Sequence, residues 1–432
     1  MVLVAGLLVF AAATAGLALL VEPIPTWYYH LAWWSYILAA DDLNHRISGS
    51  SLMRDHPRRF LWLAGVSVAW WTLFEAINLR LGNWYYVMDP PSRALRWAGG
   101  VVAFATVLPG IVETLGLVEN LAWARSVRVA PLRWTRGKEA VCVAFGAACF
   151  ALPLAWPGVF FPLTWGSFVF LLEPWNRRHA ARSFLRDLEA GEAGPFVQAL
   201  LAGLACGLLW ETWNFWARTK WIYTVPVFEE LKLFEMPLLG FLGFPPFAVE
   251  CVVLLRFVGA WGRARPWTAG PAFRAAVVVA GGLATLGVFA LVDPVTVDSF
   301  YAPVERLEVL PAPARTRLAA LGLASPEKLL RAIDDGEARA RLAAASGLGL
   351  DELQRDRDRI ALVLHQGLGV ERARQLERVG VRRVADLASW RAADLATALR
   401  AQDPQPRDRF LERRAGVWIR AARRRAAALS ER

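Results

Sequence analysis

The chain has 432 residues, room for two or three domains, and is 56% hydrophobic with 21 Trp and 23 Phe. That content excludes an ordinary soluble domain for its first two-thirds. The net charge of +11 sits in short Arg clusters between hydrophobic runs and in the tail, so it argues for membrane orientation and does not by itself imply nucleic acid.

In chain order, the first element is the apolar run from Val2 to Val21. It lacks a basic start and is followed by more hydrophobic sequence, so it reads as a first transmembrane helix rather than a cleaved signal peptide. Nine hydrophobic segments follow one another at 2–21, 26–40, 59–79, 97–121, 139–157, 159–172, 195–217, 235–258 and 272–292. A span needs about 20 apolar residues, so the second and sixth are open between crossing and re-entry.

Basic clusters follow every second segment. They are Arg46, Arg54, Arg58 and Arg59; Arg125, Arg128, Arg133, Arg136 and Lys138; Arg177, Arg178, Arg182 and Arg186; and Arg263 with Arg265. The alternation predicts a multi-pass protein of the cytoplasmic (inner) membrane with its N-terminus inside. A crossing ninth segment places the C-terminal region outside, and a non-crossing one places it inside. Arg outnumbers Lys, as in high-GC bacterial coding sequence. Cys142, Cys149, Cys206 and Cys251 lie in apolar stretches without a C-x-x-C pair and read as buried hydrophobes. The histidines show no metal-ligand spacing, so neither a metal nor a cofactor is expected.

The sequence repeats itself. Trp33, Ser35, Asp41, Asn44, Arg46, Ser51, Arg54 and Asp55 align with Trp165, Ser167, Glu173, Asn176, Arg178, Ser183, Arg186 and Asp187 at a constant offset of 132. Further on, Glu75, Asn78, Trp84, Tyr86, Pro109 and Glu113 align with Glu211, Asn214, Trp221, Tyr223, Pro246 and Glu250 at 136 or 137. The predicted fold is an all-α polytopic membrane helix bundle of two duplicated four-segment repeats, 1–125 and 137–262. An extra span at 270–293 and a soluble helical domain at 303–432 complete it. An even number of segments per copy predicts parallel repeats about an axis along the membrane normal.

Each copy carries a Glu-x-x-Asn pair on one helix face and a Pro-x-x-x-Glu. Ionisable groups inside a bilayer are costly and usually face the protein interior. Glu75 lies about 24 Å of helix beyond Arg59, Glu113 about 18 Å before Arg125 and Glu250 about 20 Å before Arg263. These similar heights predict that Glu75, Glu113, Glu211 and Glu250 line one cavity, near their partners Asn78 and Asn214. Burial favours a neutral carboxyl, and a neutral carboxyl can act as a general acid. The plainer alternative is that the Glu and Asn residues only bond across helices. Trp84, Tyr86, Trp221 and Tyr223 read either as an interfacial belt or as an aromatic wall that stabilises a cationic substrate.

An acid on a helix, a Trp-x-Tyr, and then Pro followed by Glu resemble the small membrane lycopene cyclases, whose domain occurs in tandem, and the related carotenoid hydratases. The resemblance covers residues 60–120 and 195–258. It implies catalytic Glu75, Glu113, Glu211 and Glu250, and substrate contacts from Asn78, Trp84, Tyr86, Asn214, Trp221 and Tyr223. That family has Pro-x-Glu-Glu where this chain has Pro-x-x-x-Glu. Prenyl-transfer aspartate signatures are absent.

The region 303–432 reads as helical and repeats at offset 58, with Leu310, Leu318 and Gly322 facing Leu368, Leu376 and Gly380. With Gly367-Leu368-Gly369 it resembles the helix-hairpin-helix family, including a bacterial tandem version of unknown function. In DNA-binding members the hairpin amides hold a phosphate, and Arg372 and Arg374 are the basic residues nearest to it here. The first copy has Pro311-Ala312-Pro313 in place of the glycines. The partner of this domain is open between nucleic acid, protein and anionic lipid, the last favoured by the basic final helix.

Three functions remain open. The first is acid-catalysed cyclisation or hydration of a carotenoid or other isoprenoid lipid. The second is proton-coupled transport. The third is a non-catalytic anchor that displays the C-terminal domain. The sequence leaves the oligomeric state open.

Overall fold

A computed structural model describes residues 1–225, 231–264, 270–402 and 408–430. Arg265 of the fourth basic cluster lies outside these described residues.

The first repeat begins with helices α1 (Val2–Ala18) and α2 (Ile24–Ser48), packed as an antiparallel pair. The amide of Leu3 donates to Asp42 Oδ2 at 3.1 Å, which places the N-terminus at the Arg46 end of α2. A short α3 (Leu52–Asp55) leads into α4 (Pro57–Leu81). α4 ends at Gly82, in the left-handed conformation (φ 61°) that closes many helices. Glycine is required here on a second count, because a Cβ would lie 2.4 Å from the Phe410 ring. Strand β1 (Trp84–Val87) then precedes α5 (Arg93–Phe104) and α6 (Val107–Val118). The two residues between α5 and α6 leave backbone groups free inside the bundle. Ser67 serves both sides of that break: its hydroxyl donates to Phe104 O at 2.5 Å and accepts from Leu108 N at 2.9 Å.

After α7 (Ala122–Arg125), the second repeat runs through α8 (Arg136–Ala155), α9 (Pro157–Phe160), a single turn at 161–164, α10 (Ser167–His179), α11 (Phe184–Glu189) and α12 (Gly194–Trp216). It continues through β2 (Lys220–Tyr223), the short strands β3 (Lys232–Leu233) and β4 (Met236–Pro237), and α13 (Phe244–Ala264). Helix α14 (Pro271–Thr296) follows. Among the described residues, six helical stretches are long and apolar enough to cross a membrane: 57–81, 93–118, 136–155, 194–216, 238–262 and 271–296. The protein is a membrane protein of the all-helical class. Of the two short segments, the one at 26–40 belongs to a 25-residue helix that continues into polar sequence. The one at 159–172 is broken, because Pro162 and Gly166 (φ 105°) interrupt it before α10 begins.

Aligned residues of the two repeats make matching contacts. Met53 N donates to Asp41 Oδ1 at 2.7 Å, and Leu185 N donates to Glu173 Oε1 at 3.1 Å. Trp33 packs on α12 against Trp210 and Trp213, at 5.4 and 4.7 Å between ring centres. Its counterpart Trp165 stacks on Phe74 of α4 at 5.3 Å. Strands β1 and β2 pair antiparallel across the two halves, with Trp84 opposite Tyr223, Tyr85 opposite Ile222 and Tyr86 opposite Trp221.

The C-terminal region is helical: α15 (Ala312–Ala320), α16 (Pro326–Asp334), α17 (Gly336–Ser346), α18 (Leu350–Leu364), α19 (Gly369–Arg378), α20 (Val384–Leu387), α21 (Ala392–Arg400) and α22 (Leu411–Ser430). It has its own core, in which the aligned residues Leu310 and Leu368, and Leu318 and Leu376, are all buried. This domain seats on the β1–β2 end of the bundle, opposite the Arg46–Arg59 cluster. A Cβ on Gly367 would lie 2.4 Å from Val87 Cγ2, and one on Gly369 would lie 2.6 Å from Ser299 Cβ. Ser299 donates its hydroxyl to the Gly367 carbonyl. Arg218, itself buried, bridges Glu22 at 2.7 Å and Glu327 of α16 at 2.6 Å.

The strongest polar link is at Asp298. Its Oδ1 accepts from Arg414 at 2.9 Å and from Arg372 at 3.1 Å, and its side chain is 2% exposed. Burial raises this carboxyl, but the Arg414 and Arg372 guanidinium groups outweigh burial and hold it below its usual value. A depressed acid stabilises the fold above its unfolded value of about 3.9 and loses that contribution as the pH falls below it. Asp298→Ala removes one of two carboxylates from the buried Arg414, which also pairs with Asp408 at 3.1 Å, and is expected to cost about 1–3 kcal/mol. Thermal unfolding in detergent and limited proteolysis would show a lower midpoint and early release of the C-terminal domain. An unchanged midpoint would show that the domain is held elsewhere.

Candidate functional site

The site is built where α4 hands over to β1. Asn78 donates Nδ2 to the Trp84 carbonyl at 2.9 Å and accepts from Asn83 N at 2.8 Å. Its side-chain amide thus matches one backbone acceptor and one backbone donor, and folds the chain back over α4. Asn214 does the same for β2, with Trp221 O and Trp221 N both at 2.9 Å. Both Asn residues thereby fix the strands, and neither is among the residues that line the cavity between the repeats.

Fixing the strands aims the aromatic residues. Tyr86 donates its hydroxyl to Glu75 Oε1 at 2.5 Å, and the indoles of Trp71 and Trp84 donate to the same oxygen at 3.0 and 3.1 Å. Glu75 Oε2 is buried and has no partner. In the second copy Tyr223 donates to Glu211 Oε1 at 2.8 Å, and Oε2 is again without a partner. The copies differ at the next aligned position. Where the first has Trp71, the second has Gly207, and a Cβ there would lie 2.3 Å from Phe244 Cδ2. A ring from α13 has moved into the place of the missing indole.

A cavity of about 500 Å³ lies between the repeats and α14. Its wall is mostly apolar and rich in aromatic residues, among them Trp71, Trp84, Tyr86, Trp165, Trp221, Tyr223, Phe247 and Phe289. Trp84 is 5% exposed and Tyr86 is half-buried, so both face this interior rather than forming a belt against lipid.

Of the four glutamates expected together, only Glu75 borders the cavity. Glu113 accepts from Asn44 Nδ2 at 2.8 Å. Glu250 accepts from the Phe168 amide at 2.8 Å, which caps the new helix start created by the break before α10. Glu211 is fully buried beside Tyr223 and is not part of the wall. Residue counting gave comparable depths, but depth along a helix does not fix the direction a side chain faces.

Several wall residues were not singled out from the sequence. His30 Nε2 lies 3.0 Å from the Gly99 carbonyl. A carbonyl only accepts, so this contact assigns the proton to Nε2 and the lone pair to Nδ1. His30 Nδ1 is buried without a partner. Asp89, Arg96, Lys220 and Asp293 form a polar part of the wall. Burial pushes the Asp89 carboxyl up to about 7, with Arg96 acting in the opposite sense. Lone charged residues beside aromatic loops carry no spacing signal, and only the packing of both repeats on α14 brings these together. Among the described residues, no three His, Cys, Asp or Glu side chains converge as metal ligands.

The residues expected to hold a phosphate are engaged within the chain. The Gly367-Leu368-Gly369 turn presses on Val87 and Ser299, Arg372 pairs with Asp298, and Arg374 pairs with Glu308 at 2.5 Å.

Residues 310–425 match the model of a family described as Domain of unknown function (DUF4332). No curated protein and no solved structure matches the chain.

Proposed function

We propose that the protein is a membrane-embedded enzyme that protonates a carbon–carbon double bond of an isoprenoid lipid, with Glu75 as the acid. The observation that carries this reading is the buried Glu75 carboxyl on the wall of an aromatic cavity. Three donors fix Oε1, while Oε2 is left without a partner. The cavity volume lies in the range of small-molecule sites, roughly 300–1,000 Å³. A carboxyl bound tightly at one oxygen and unpartnered at the other holds its proton in a defined direction.

The chemistry needs no cofactor. The proton on Glu75 goes to one carbon of the double bond, and the neighbouring carbon becomes cationic. Trp71, Trp84 and Trp165 present π faces, which attract positive charge. Ring closure followed by loss of a proton gives an isomer, whereas capture of water, with its extra proton passing back to the Glu75 carboxylate, gives a hydrated product. In the first outcome His30 Nδ1 takes the released proton, since it is a buried basic nitrogen without a partner on the same wall. The resemblance to the small membrane lycopene cyclases supports this reading through Glu75, Trp84 and Tyr86. Glu113, Glu211 and Glu250 serve the fold in this mechanism.

The positive-inside rule puts the arginine end in the cytoplasm. The C-terminal domain then lies on the outer side of the inner membrane, with the bundle of its own chain as its partner. A reporter enzyme that folds only outside the cytoplasm, fused to the C-terminus, is expected to be active. Activity of a cytoplasm-only reporter at the same position would reverse the orientation.

Expressed in cells that accumulate unsaturated isoprenoids, the wild type is expected to change their pigment or lipid profile. Glu75→Gln should abolish that change. Glu113→Gln and Glu250→Gln should retain it once protein amounts are matched. Equal loss in all three variants, or an unchanged profile with the wild type across several polyenes, would refute the assignment. Tyr86→Phe removes one donor from Glu75 Oε1 and is expected to lower the rate by roughly 10- to 100-fold, the equivalent of about 1.5–3 kcal/mol for a charge-assisted hydrogen bond.

A further inference from the structure

The cavity that holds Glu75 is not uniform. Beside its aromatic wall it has a polar mouth formed by Asp89, Arg96, Lys220 and Asp293, next to the β1–β2 end. Which groups at this mouth still have hydrogen-bonding capacity decides what kind of head a ligand carries there.

Arg96 is engaged. Its Nε and Nη2 donate to the two oxygens of Asp293 at 2.9 and 2.5 Å, and its Nη1 donates to the carbonyls of Pro90 and Pro91 at 3.0 and 2.8 Å. A guanidinium has five N–H groups, so about one remains. Both Asp293 oxygens are taken by the same Arg. Lys220 donates to Glu235 at 2.7 Å and to the Phe215 carbonyl at 3.2 Å. The nearby Thr219 hydroxyl donates to the Met88 carbonyl at 2.8 Å. An anionic head such as a diphosphate would meet two cations that are already neutralised.

Asp89 differs. Its backbone is held on both sides, by Ser299 O at 3.1 Å and by Tyr301 N at 2.9 Å. Among the described residues its carboxyl has no hydrogen-bond or ion-pair partner. The polar group with most free capacity at the mouth is therefore an acceptor on a fixed backbone. Its complement is a donor. An ammonium donor needs the carboxylate form, which burial disfavours at Asp89, whereas a hydroxyl is neutral and bonds a carboxyl or a carboxylate equally well.

We propose that the cavity takes an isoprenoid alcohol, with its hydroxyl on Asp89 at the mouth and its unsaturated chain along the aromatic wall toward Glu75. This rests on the reading of Glu75 as the acid and names the substrate class for it. The head position orients the chain, so that one double bond rather than another meets the acid.

The test uses the full-length protein in detergent or nanodiscs and follows quenching of its intrinsic tryptophan fluorescence. The probes are geranylgeraniol, geranylgeranyl diphosphate and squalene. The alcohol is expected to bind about tenfold more tightly than either of the others, a difference of about 1.4 kcal/mol. Asp89→Leu should lower alcohol affinity by about tenfold and leave squalene affinity unchanged. Asp89→Asn keeps an acceptor and should stay within about threefold of wild type, which controls for a folding defect in the leucine variant. Tightest binding of the diphosphate, or unchanged alcohol affinity in both Asp89 variants, would overturn the proposal. Glu75→Gln separates the two assignments. Intact alcohol binding with turnover lost supports both, turnover without preference for the alcohol removes only the head assignment, and alcohol preference without turnover in the wild type removes only the acid.

Discussion

Two four-residue strands pair across the halves of the bundle, and the register of that pairing decides most of what surrounds it. Tyr85 lies opposite Ile222, and the repeat aligns these same two residues. The ladder therefore maps onto itself when the copies are exchanged. Side chains alternate along a strand, so one face carries Trp84, Tyr86, Trp221 and Tyr223 and the other carries Tyr85, Val87 and Ile222. The first set belongs to the membrane core beside Glu75 and Glu211. Tyr85, Val87 and Ile222 pack instead with Val417 of the C-terminal domain. A slip of one residue would exchange the two faces and lose both the cavity wall and the docking surface. Asn78 and Asn214 prevent it by holding Trp84 and Trp221 through backbone bonds.

The copies have diverged around this shared frame. Aligned acids do the same work at Asp41 and Glu173, where both accept from the amide that opens the next short helix. They do different work at Glu113 and Glu250, one bonding a side-chain amide and the other capping a helix start. The difference follows from Gly166 and Pro162, which break in the second copy the helix that runs unbroken as α2 in the first. A break exposes amides that need an acceptor, and Glu250 is that acceptor. The exchange of Trp71 for Gly207 has the opposite effect on packing, because Phe244 fills the vacated space. Of the four aligned glutamates Glu75, Glu113, Glu211 and Glu250, Glu75 alone borders the chamber although the sequence is duplicated.

The sequence exposed the features that are local or repeated. An acid followed by a Trp-x-Tyr was legible because it recurs in both copies, but the bond from each Tyr to its Glu was not read from the sequence. Helical class and apolar spans were legible from composition. The azimuth of each glutamate was not, since neighbouring helices decide it. The role of Asn78 was misread because a polar residue inside a membrane is equally required by a ligand and by an unpaired peptide group. Asp89 and His30 were missed for a different reason. Each is single, without a counterpart in the repeat, and each gains meaning only when α5 or α14 packs beside it. The Gly367 turn resembled a phosphate cradle, but the left-handed glycines that suit a close approach to phosphate suit a close approach to Val87 as well.

Docking of the C-terminal domain reaches the cavity through the end of α14. That helix contributes Phe289 and Asp293 to the wall, and Asp293 fixes Arg96 at the mouth. The residues directly after it bind the strand and its loop: Asp298 N donates to Tyr86 O at 2.9 Å, and Asp89 N donates to Ser299 O at 3.1 Å. The same short segment carries two of the contacts that join the domain to the bundle, Asp298 to Arg414 and Ser299 to Gly367. A buried ion pair of this kind contributes less to net stability than to the choice of one arrangement over others, because desolvation offsets much of its attraction. Here the arrangement chosen is the position of Tyr86 over Glu75 and of Asp89 at the mouth. The C-terminal domain is thus joined, through bonds on one strand-like segment, to the backbone of Tyr86 and Asp89.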